Sequence, residues 1–357
     1  MKTSSRPKGV WKPVSDRKIR VGIAGYGVCR FGAAFGFQDH PNVVVAAVTD
    51  LIPDRCQGLA KVCRCAKTYP SLEEMVKDDS LEAIFVATDA PSHAKHCIDA
   101  LKRGKHVACA VPAVFGSLED ADQLFEAVKT SGRKYMLFET SAYHADCHAM
   151  RQIHKAGGFG TLYSEGEYYH FMSTPIPSFR DWRVGLPPQW YPTHSNAYYV
   201  CVTGGRFTEV SCMGMPSPIA QLRPENNRYK NPFGTEVALL RTSDGGMARM
   251  TVSWDTRGPE WEQGRVRGPR GAMWNQPYTG ELKTLPDLSC PPLPPSVAPG
   301  GHGGSHGHLM NEFVTAILEN RTPLVNIHWA LNLTVAGIVA HQSALKKGEL
   351  LKIPQFG

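Results

Sequence analysis

The chain has 357 residues, of which 42% are hydrophobic and 20% charged. That length can build two domains with their own cores, and the composition is that of a soluble globular protein rather than a disordered or fibrous one. The net charge of +7 is concentrated at the start. Residues 1–20 carry seven basic residues against Asp16, a net +6, and the remaining 32 basic and 31 acidic residues leave +1. The body therefore has no bias toward nucleic acid or an anionic membrane, and neither is expected as a partner.

Residues 1–17 form a basic arm. It lacks the apolar core of a secretory signal, and no apolar run in the chain is long enough to span a bilayer. A partly disordered arm and a subunit-wrapping arm are both open readings. Strand KIRVGIA (18–24) follows and runs into the turn Gly25-Tyr26-Gly27-Val28-Cys29-Arg30. A helix is expected near 28–39. The next strand, VVVAAVTD (43–50), closes on Asp50, 23 residues after Gly27. Glycines at such a turn let the backbone approach a pyrophosphate, and an acid at the end of the next strand can bind the adenine-ribose hydroxyls while repelling a 2′-phosphate. The pattern predicts NAD as cofactor, with Gly25–Arg30, Asp50 and Arg55 as its first binding residues. Arg30 stands at the third fingerprint position in place of glycine, which predicts a helix set slightly further from the sheet.

Helices near 53–64 and from Ser71 come next, then strand LEAIFVATD and a helix from Pro91 or Ser92. Strand KHVACAV leads to a helix opening at Ser117, where Asp120 stands three residues on as a capping partner. Strand RKYMLFET ends the half. Repeated βα units predict a parallel sheet covered on both faces, with its ligand crevice at the strand C-termini. After a helix near 142–156 the pattern changes to YSEGEYYHFM, RFTEVSCMGM, TEVALLRTS and MARMTVSWD, strands with few helices between them. This predicts an antiparallel sheet in a second domain. The Pro- and Gly-rich stretch 277–307 reads as either a disordered insert or a functional loop. Helices near 308–319 and 328–347 close the chain, the second ending at Lys346, Lys347 and Gly348. The fold class is α/β plus α+β: a Rossmann domain over 18–140 and a substrate and oligomerisation domain over 141–357, with the last helices able to pack back on the first domain. The ten scattered cysteines include no paired CxxC, and Cys63 and Cys65 are too close for an easy disulfide; a reducing cytoplasm fits.

Several runs together resemble the Gfo/Idh/MocA-type oxidoreductases: KIRVGIAGYG, IFVATDAPSHAKHCIDALKRGKHV, and Pro112, five residues after that run. The resemblance covers nearly the whole chain after residue 17. It implies an N-terminal Rossmann domain, an open antiparallel sheet after it, and Thr88, Pro91 and His93 on the cofactor side. Two positions depart from the family. Its Glu-Lys-Pro is Ala110-Val111-Pro112 here, so the proton-shuttling lysine is Val111. Its second motif pairs an acid with a histidine four residues later; here the histidine is His194 and Trp190 stands where the acid would be.

A subgroup of that family, similar to the NAD-dependent α-N-acetylgalactosaminidases, shares the departures. It is resembled in Val111-Pro112, Glu139, Tyr168 with His170, Tyr191-Pro-Thr-His194, and Gly301-His302-Gly303-Gly304. The resemblance implies a redox-neutral cleavage with tightly bound NAD. Oxidation at the sugar C3 acidifies the C2 proton, the aglycone is eliminated, water adds, and the hydride returns. Such a site needs groups that pass protons near neutral pH, not a carboxylate pair at fixed separation. His and Tyr suit that task.

His194 is therefore expected nearest the oxidised hydroxyl, with Tyr191 as the partner that takes a proton or assists the leaving group. Tyr168 and His170 orient or relay. Val111, Pro112 and Glu139 lie on the cofactor, Glu139 against the nicotinamide ribose. His302 and His306 cap the sugar, and Trp190 lines the substrate site. The run GHGGSHGH has no carboxylate or cysteine beside it, and His144 and His148 read as crevice-lining, so no metal is expected. Two other readings stand beside this one: an ordinary NAD-dependent sugar dehydrogenase with His194 as base, and a non-catalytic NAD-binding protein. A homodimer or homotetramer is expected by analogy of fold.

Overall fold

Six short strands pair side by side in one direction; five of them are apolar and largely buried, and the two-residue edge strand Thr68–Tyr69 is not. In the computed structural model the described residues are 9–27, 30–172, 178–259, 261–274 and 277–356. They divide into two units interleaved along the chain. The first comprises residues up to 110, 122–149 and 287–327; the second comprises 111–121, 150–286 and 328 onward.

The first unit holds β1 (Ile19–Ala24), β2 (Val43–Thr49), β3 (Thr68–Tyr69), β4 (Ala83–Val86), β5 (His106–Cys109) and β6 (Tyr135–Leu137). Their order is β3-β2-β1-β4-β5-β6 and every pairing is parallel. This is the dinucleotide-binding order, and it reverses beside β1. The helix expected over 28–39 is only one turn, α1 (Phe31–Ala34), followed by a 3-10 turn at Phe37–Asp39; Gly36 at φ 74° separates them. The crossovers are α2 (Pro53–Val62), α3 (Leu72–Met75), α4 (His93–Lys102) and α5 (Leu118–Ser131), and α6 (Ala145–Lys155) carries the chain onward. Ser117 caps as read, its hydroxyl accepting from the Asp120 amide, and Ser71 also caps, accepting from the Glu74 amide.

The second sheet is built from β7 (Tyr163–Tyr169), β8 (Phe207–Pro216), β9 (Phe233–Thr242), β10 (Met247–Ser253), β11 (Trp261–Gly268), β12 (Gly271–Met273), β13 (Thr279–Gly280) and β14 (Leu351–Lys352). Its order is β13-β12-β11-β7-β10-β9-β8-β14. Every pair is antiparallel except β7–β10, so the sheet is mixed.

One face of that sheet is covered by α7 (Thr193–Thr203), a helix the sequence did not announce. From Thr193 to Val202 every one of its residues is buried. It therefore lacks the polar face from which an amphipathic period is read. It seats closely because Gly166 of β7 and Gly264 of β11 are direct cross-strand partners. A Cβ on Gly166 would lie 1.9 Å from the Ser195 carbonyl oxygen, and one on Gly264 would lie 2.1 Å from the Tyr198 ring.

The stretch 277–307 is chiefly coil, and from Asp287 onward it belongs to the first unit. It leads into α8 (His306–Leu318), which is anchored there by Phe313 against Phe37 and Phe138 at 6.5 and 6.0 Å between ring centroids. The chain closes in the second unit with α9 (Ile327–Leu345) and β14. The nine described cysteines are all free, and among the described residues no helix is long and apolar enough to cross a membrane.

Candidate functional site

In the first unit the glycine turn expected to bind the cofactor lies at the C-terminal end of β1. Gly25 has φ 96°, and a Cβ there would stand 2.2 Å from the Ala87 carbonyl oxygen, so only glycine fits between β1 and β4. Gly27 has φ 67° and nothing within 4 Å of where a Cβ would be, which leaves its backbone open to a bulky anion. Val28 and Cys29 lie outside the described residues. Arg30 takes the left-handed conformation, φ 58°, at the entry to α1. The expected wider spacing of that helix does not occur. Gly32 performs the close-packing task, with a Cβ there falling 2.0 Å from the Gly25 carbonyl oxygen.

Asp50 closes the turn: one carboxylate oxygen accepts from the Tyr26 amide at 2.8 Å and the Gly27 amide at 3.4 Å, the other from Ile52 at 2.9 Å. Arg55 follows in the first turn of α2. The open glycine backbone and the acid beside it fit an NAD adenosine and pyrophosphate.

After β4, Pro91 is exposed in a 3-10 turn. His93 is 2% exposed and its Nε2 donates to the Thr88 carbonyl at 3.1 Å, while the Thr88 hydroxyl pairs with His96 Nδ1 at 2.9 Å. Behind it, the thiol of Cys109 is brought down to about 5: burial opposes this, but the hydrogen bond from Cys97 and the neighbouring His93 outweigh it. Glu139 is fully buried, and one of its oxygens accepts from the Ser141 amide at 2.9 Å. His306 is also buried, 4% exposed. Its Nδ1 faces the Ala34 carbonyl at 3.2 Å, its Nε2 faces His302 Nδ1 at 2.9 Å, and its ring stacks on Phe35. His306 thus supports His302, and His302 is the exposed member of the pair. A carbonyl can only accept, so Nδ1 of His306 donates; with one hydrogen on that ring its Nε2 accepts from His302 Nδ1, and the hydrogen bonds run inward from His302 to Ala34.

In the second unit four of the expected catalytic residues meet. The Tyr168 ring stands edge-on to His194 at 4.7 Å and lies 6.1 Å from Tyr191 and 6.4 Å from His170; Tyr191 lies 5.8 Å from His194. Trp254, following β10, backs Tyr168 and Tyr191 at 5.5 and 6.4 Å. The Arg183 guanidinium lies over the Tyr191 ring at 5.1 Å. Val111 and Pro112 are buried and joined by a cis peptide. Trp190 turns away from this group. It covers Gly116 and packs edge-on against Phe115, Tyr229 and His341 at 5.4–5.8 Å. The turn carrying Trp190 and Tyr191 is pinned by Glu236, fully buried: one carboxylate oxygen accepts from the Gln189 amide at 2.8 Å and the other lies 2.7 Å from His341 Nδ1.

One functional neighbour was missed in the sequence. Glu262 of β11 brings a carboxylate oxygen to 3.6 Å from His194 Nδ1. The signal was slight: in WEQGRVRG the covered positions are Glu262, Gly264 and Val266, and a carboxylate on a covered face needs a partner. Among the described residues no group of three or more His, Cys, Asp or Glu is arranged to hold a metal.

A parallel sheet in dinucleotide-binding order with this glycine turn, and a second unit whose open sheet gathers His and Tyr, define an NAD-binding enzyme of the oxidoreductase class. Residues 19–139 match the family model described as "Oxidoreductase family, NAD-binding Rossmann fold" of the Gfo/Idh/MocA group, and the chain carries that family's domain. Among curated proteins, a "Glycosyl hydrolase family 109 protein" of Streptomyces niveus is 25% identical over 95% of this chain and 77% of its own length. One from Bacteroides fragilis is 29% identical over 46% of this chain and 38% of its own. Among solved structures, a levoglucosan dehydrogenase in complex with NADH and levoglucosan has a TM-score of 0.77 at 17% identity, covering 95% of this chain and 100% of that one. A scyllo-inositol dehydrogenase from Lactobacillus casei with NAD(H) and scyllo-inositol has 0.72 at 17%, covering 94% and 99%.

Proposed function

We propose that this protein is a carbohydrate-active enzyme that cleaves a glycoside without net redox change, using NAD held tightly through the cycle. The observation that carries the reading is the cluster of Tyr168, His170, Tyr191 and His194 in a chain whose family lysine is Val111. The family 109 glycosyl hydrolases similar to it point the same way. When bound, NAD supplies reversible hydride acceptance at the sugar C3. In this reading His194 takes the proton of that hydroxyl and later gives it back. Tyr191 takes the C2 proton or protonates the departing oxygen, with the Arg183 guanidinium over its ring. Tyr168 and His170 orient the sugar. Three or four groups able to exchange protons near neutrality replace the acid and nucleophile of an ordinary glycosidase.

The solved structures similar in fold include sugar dehydrogenases, and this favours a second reading, net oxidation of a sugar with NAD exchanged each turnover. Purified protein is first assayed for nucleotide that survives gel filtration, then incubated with a panel of nitrophenyl glycosides with and without added NAD. Nitrophenol released without accumulating NADH supports cleavage. One NADH per sugar consumed supports the dehydrogenase. Retained nucleotide with neither product overturns both.

We extend the proposal to a homodimer or homotetramer. The uncovered face of the second sheet presents Met213, Met215, Leu239, Met247 and Trp261, each 44–63% exposed, around an ion-pair row in which Glu165 meets both Arg249 and Arg265. Such an apolar face is suited to a second copy of itself.

A further inference from the structure

We propose that Glu262 is the positioning residue of His194, a carboxylate supplied from β11 in place of the acid that the family carries where Trp190 stands. The inference rests on the reading of His194 as the proton-handling group. The contact is built by sheet register rather than by a loop. Glu262 is the antiparallel partner of Tyr168, and two residues further along Gly264 pairs with Gly166. Those glycines let α7 touch the sheet, and the Tyr198 hydroxyl of α7 donates to the Glu262 carbonyl at 3.3 Å. His194, in the first turn of α7, is thereby set 4.7 Å from the Tyr168 ring and 3.6 Å from the Glu262 carboxylate. Its 4% exposure leaves little water to compete for the ring.

A carboxylate only accepts. Facing Nδ1 at 3.6 Å, it favours the neutral tautomer that carries its hydrogen there, which leaves the Nε2 lone pair to receive a proton. Once that proton arrives, the carboxylate stabilises the imidazolium. The arrangement has the logic of a base held by a third group. Among the described residues the titratable or charged groups in contact about the ring are Tyr168 and Tyr191, with His170 beside Tyr168 and Arg183 over Tyr191. None of these is a carboxylate; Glu262 supplies one.

Glu262→Gln separates this from a packing role, since it keeps shape and removes charge. The full-length protein with 15N-labelled histidine is titrated by NMR, and the His194 signal is identified by its loss in His194→Gln. In the wild type the neutral ring is expected to carry hydrogen on Nδ1. In Glu262→Gln its titration midpoint is expected to move to lower pH, by about tenfold in proton affinity. Hydrogen on Nε2 in the wild type, or identical titrations in the two proteins, overturns the proposal. The wild-type tautomer alone decides if the variant does not fold. Activity is a separate readout: a wild type that cleaves no glycoside and oxidises no sugar defeats the reading under Proposed function while the NMR result stands. With an active enzyme, the acid limb of the pH–rate profile moves to lower pH in Glu262→Gln while retained NAD is unchanged.

Discussion

The role proposed for His194 rests on its contacts with Tyr168, Tyr191 and Glu262, and a single truncation tests it. His194→Ala is expected to lower turnover by at least about 100-fold, the scale of losing one general acid–base group, while the protein still carries NAD, because the glycine turn and Asp50 belong to the other unit. Rapid-quench assay and nucleotide content measured on the same preparation check both halves; retained turnover removes His194 from the mechanism. The sequence exposed this residue, along with Tyr168, His170 and Tyr191, because each sits in a short run whose chemistry is unusual. Glu262 stayed hidden for a physical reason. Its meaning depends on which strand it faces, and the register that pairs it with Tyr168 across about 90 intervening residues is set by tertiary packing. His306 shows the same limit: its motif is visible, but its burial beneath His302 and against Phe35 is not.

At the level of elements, the parallel sheet was legible because its strands are apolar throughout and separated by capped, periodic helices. The second sheet was legible only where alternation survived. Strands β11 to β14 are polar, short or glycine-rich, and α7 is buried all round, so neither period shows. Yet α7 and β11 build half of the candidate site. The glycine pair between them gives a sharp test. Gly166→Ala drives a methyl into the Ser195 carbonyl. The expected cost is roughly 1–3 kcal/mol from overpacking, which lowers the unfolding midpoint by a few degrees, about 2–4 °C per kcal/mol for a unit of this size. Turnover is expected to fall with it, because the methyl displaces the turn that carries His194. Calorimetry and the glycoside assay on Gly166→Ala, with Gly9→Ala as a control at an open, exposed and unstrained position, distinguish a site effect from a general loss.

For the whole molecule, acid sensitivity follows from buried histidines. His106 is pushed down to about 4 by burial and by Arg133, Lys134 and Arg17; His40, His96 and His154 are also lowered, chiefly by burial. These rings are neutral in the folded chain and take up protons on unfolding, so the unfolded state binds more protons between pH 6.5 and 4. Stability is therefore full above about pH 6.5 and is lost progressively as pH falls toward 4. Carboxylates held low, such as Glu73 at about 2 beside Lys95, add to the loss only below their ordinary value of 4.5. Urea midpoints at pH 7.5 and 5.0 check this: a clear drop is expected, smaller in His106→Gln, and equal midpoints contradict it. Association is tested on the same scale. Met213→Glu with Leu239→Glu places like charges on the uncovered sheet face and is expected to reduce the mass seen by light scattering to that of one chain; an unchanged mass moves the interface elsewhere.

The carboxylate of Asp50 has an evolutionary consequence. Its oxygens receive the amides of Tyr26, Gly27 and Ile52, so the group expected to discriminate against a 2′-phosphate is also the pin of the turn expected to cradle the pyrophosphate. Replacing it to admit a phosphorylated dinucleotide removes the pin in the same stroke. A lineage descending from this chain could not exchange one nucleotide currency for the other by a single substitution. It would have to rebuild the turn's anchorage first, and the preference for NAD is correspondingly resistant to drift.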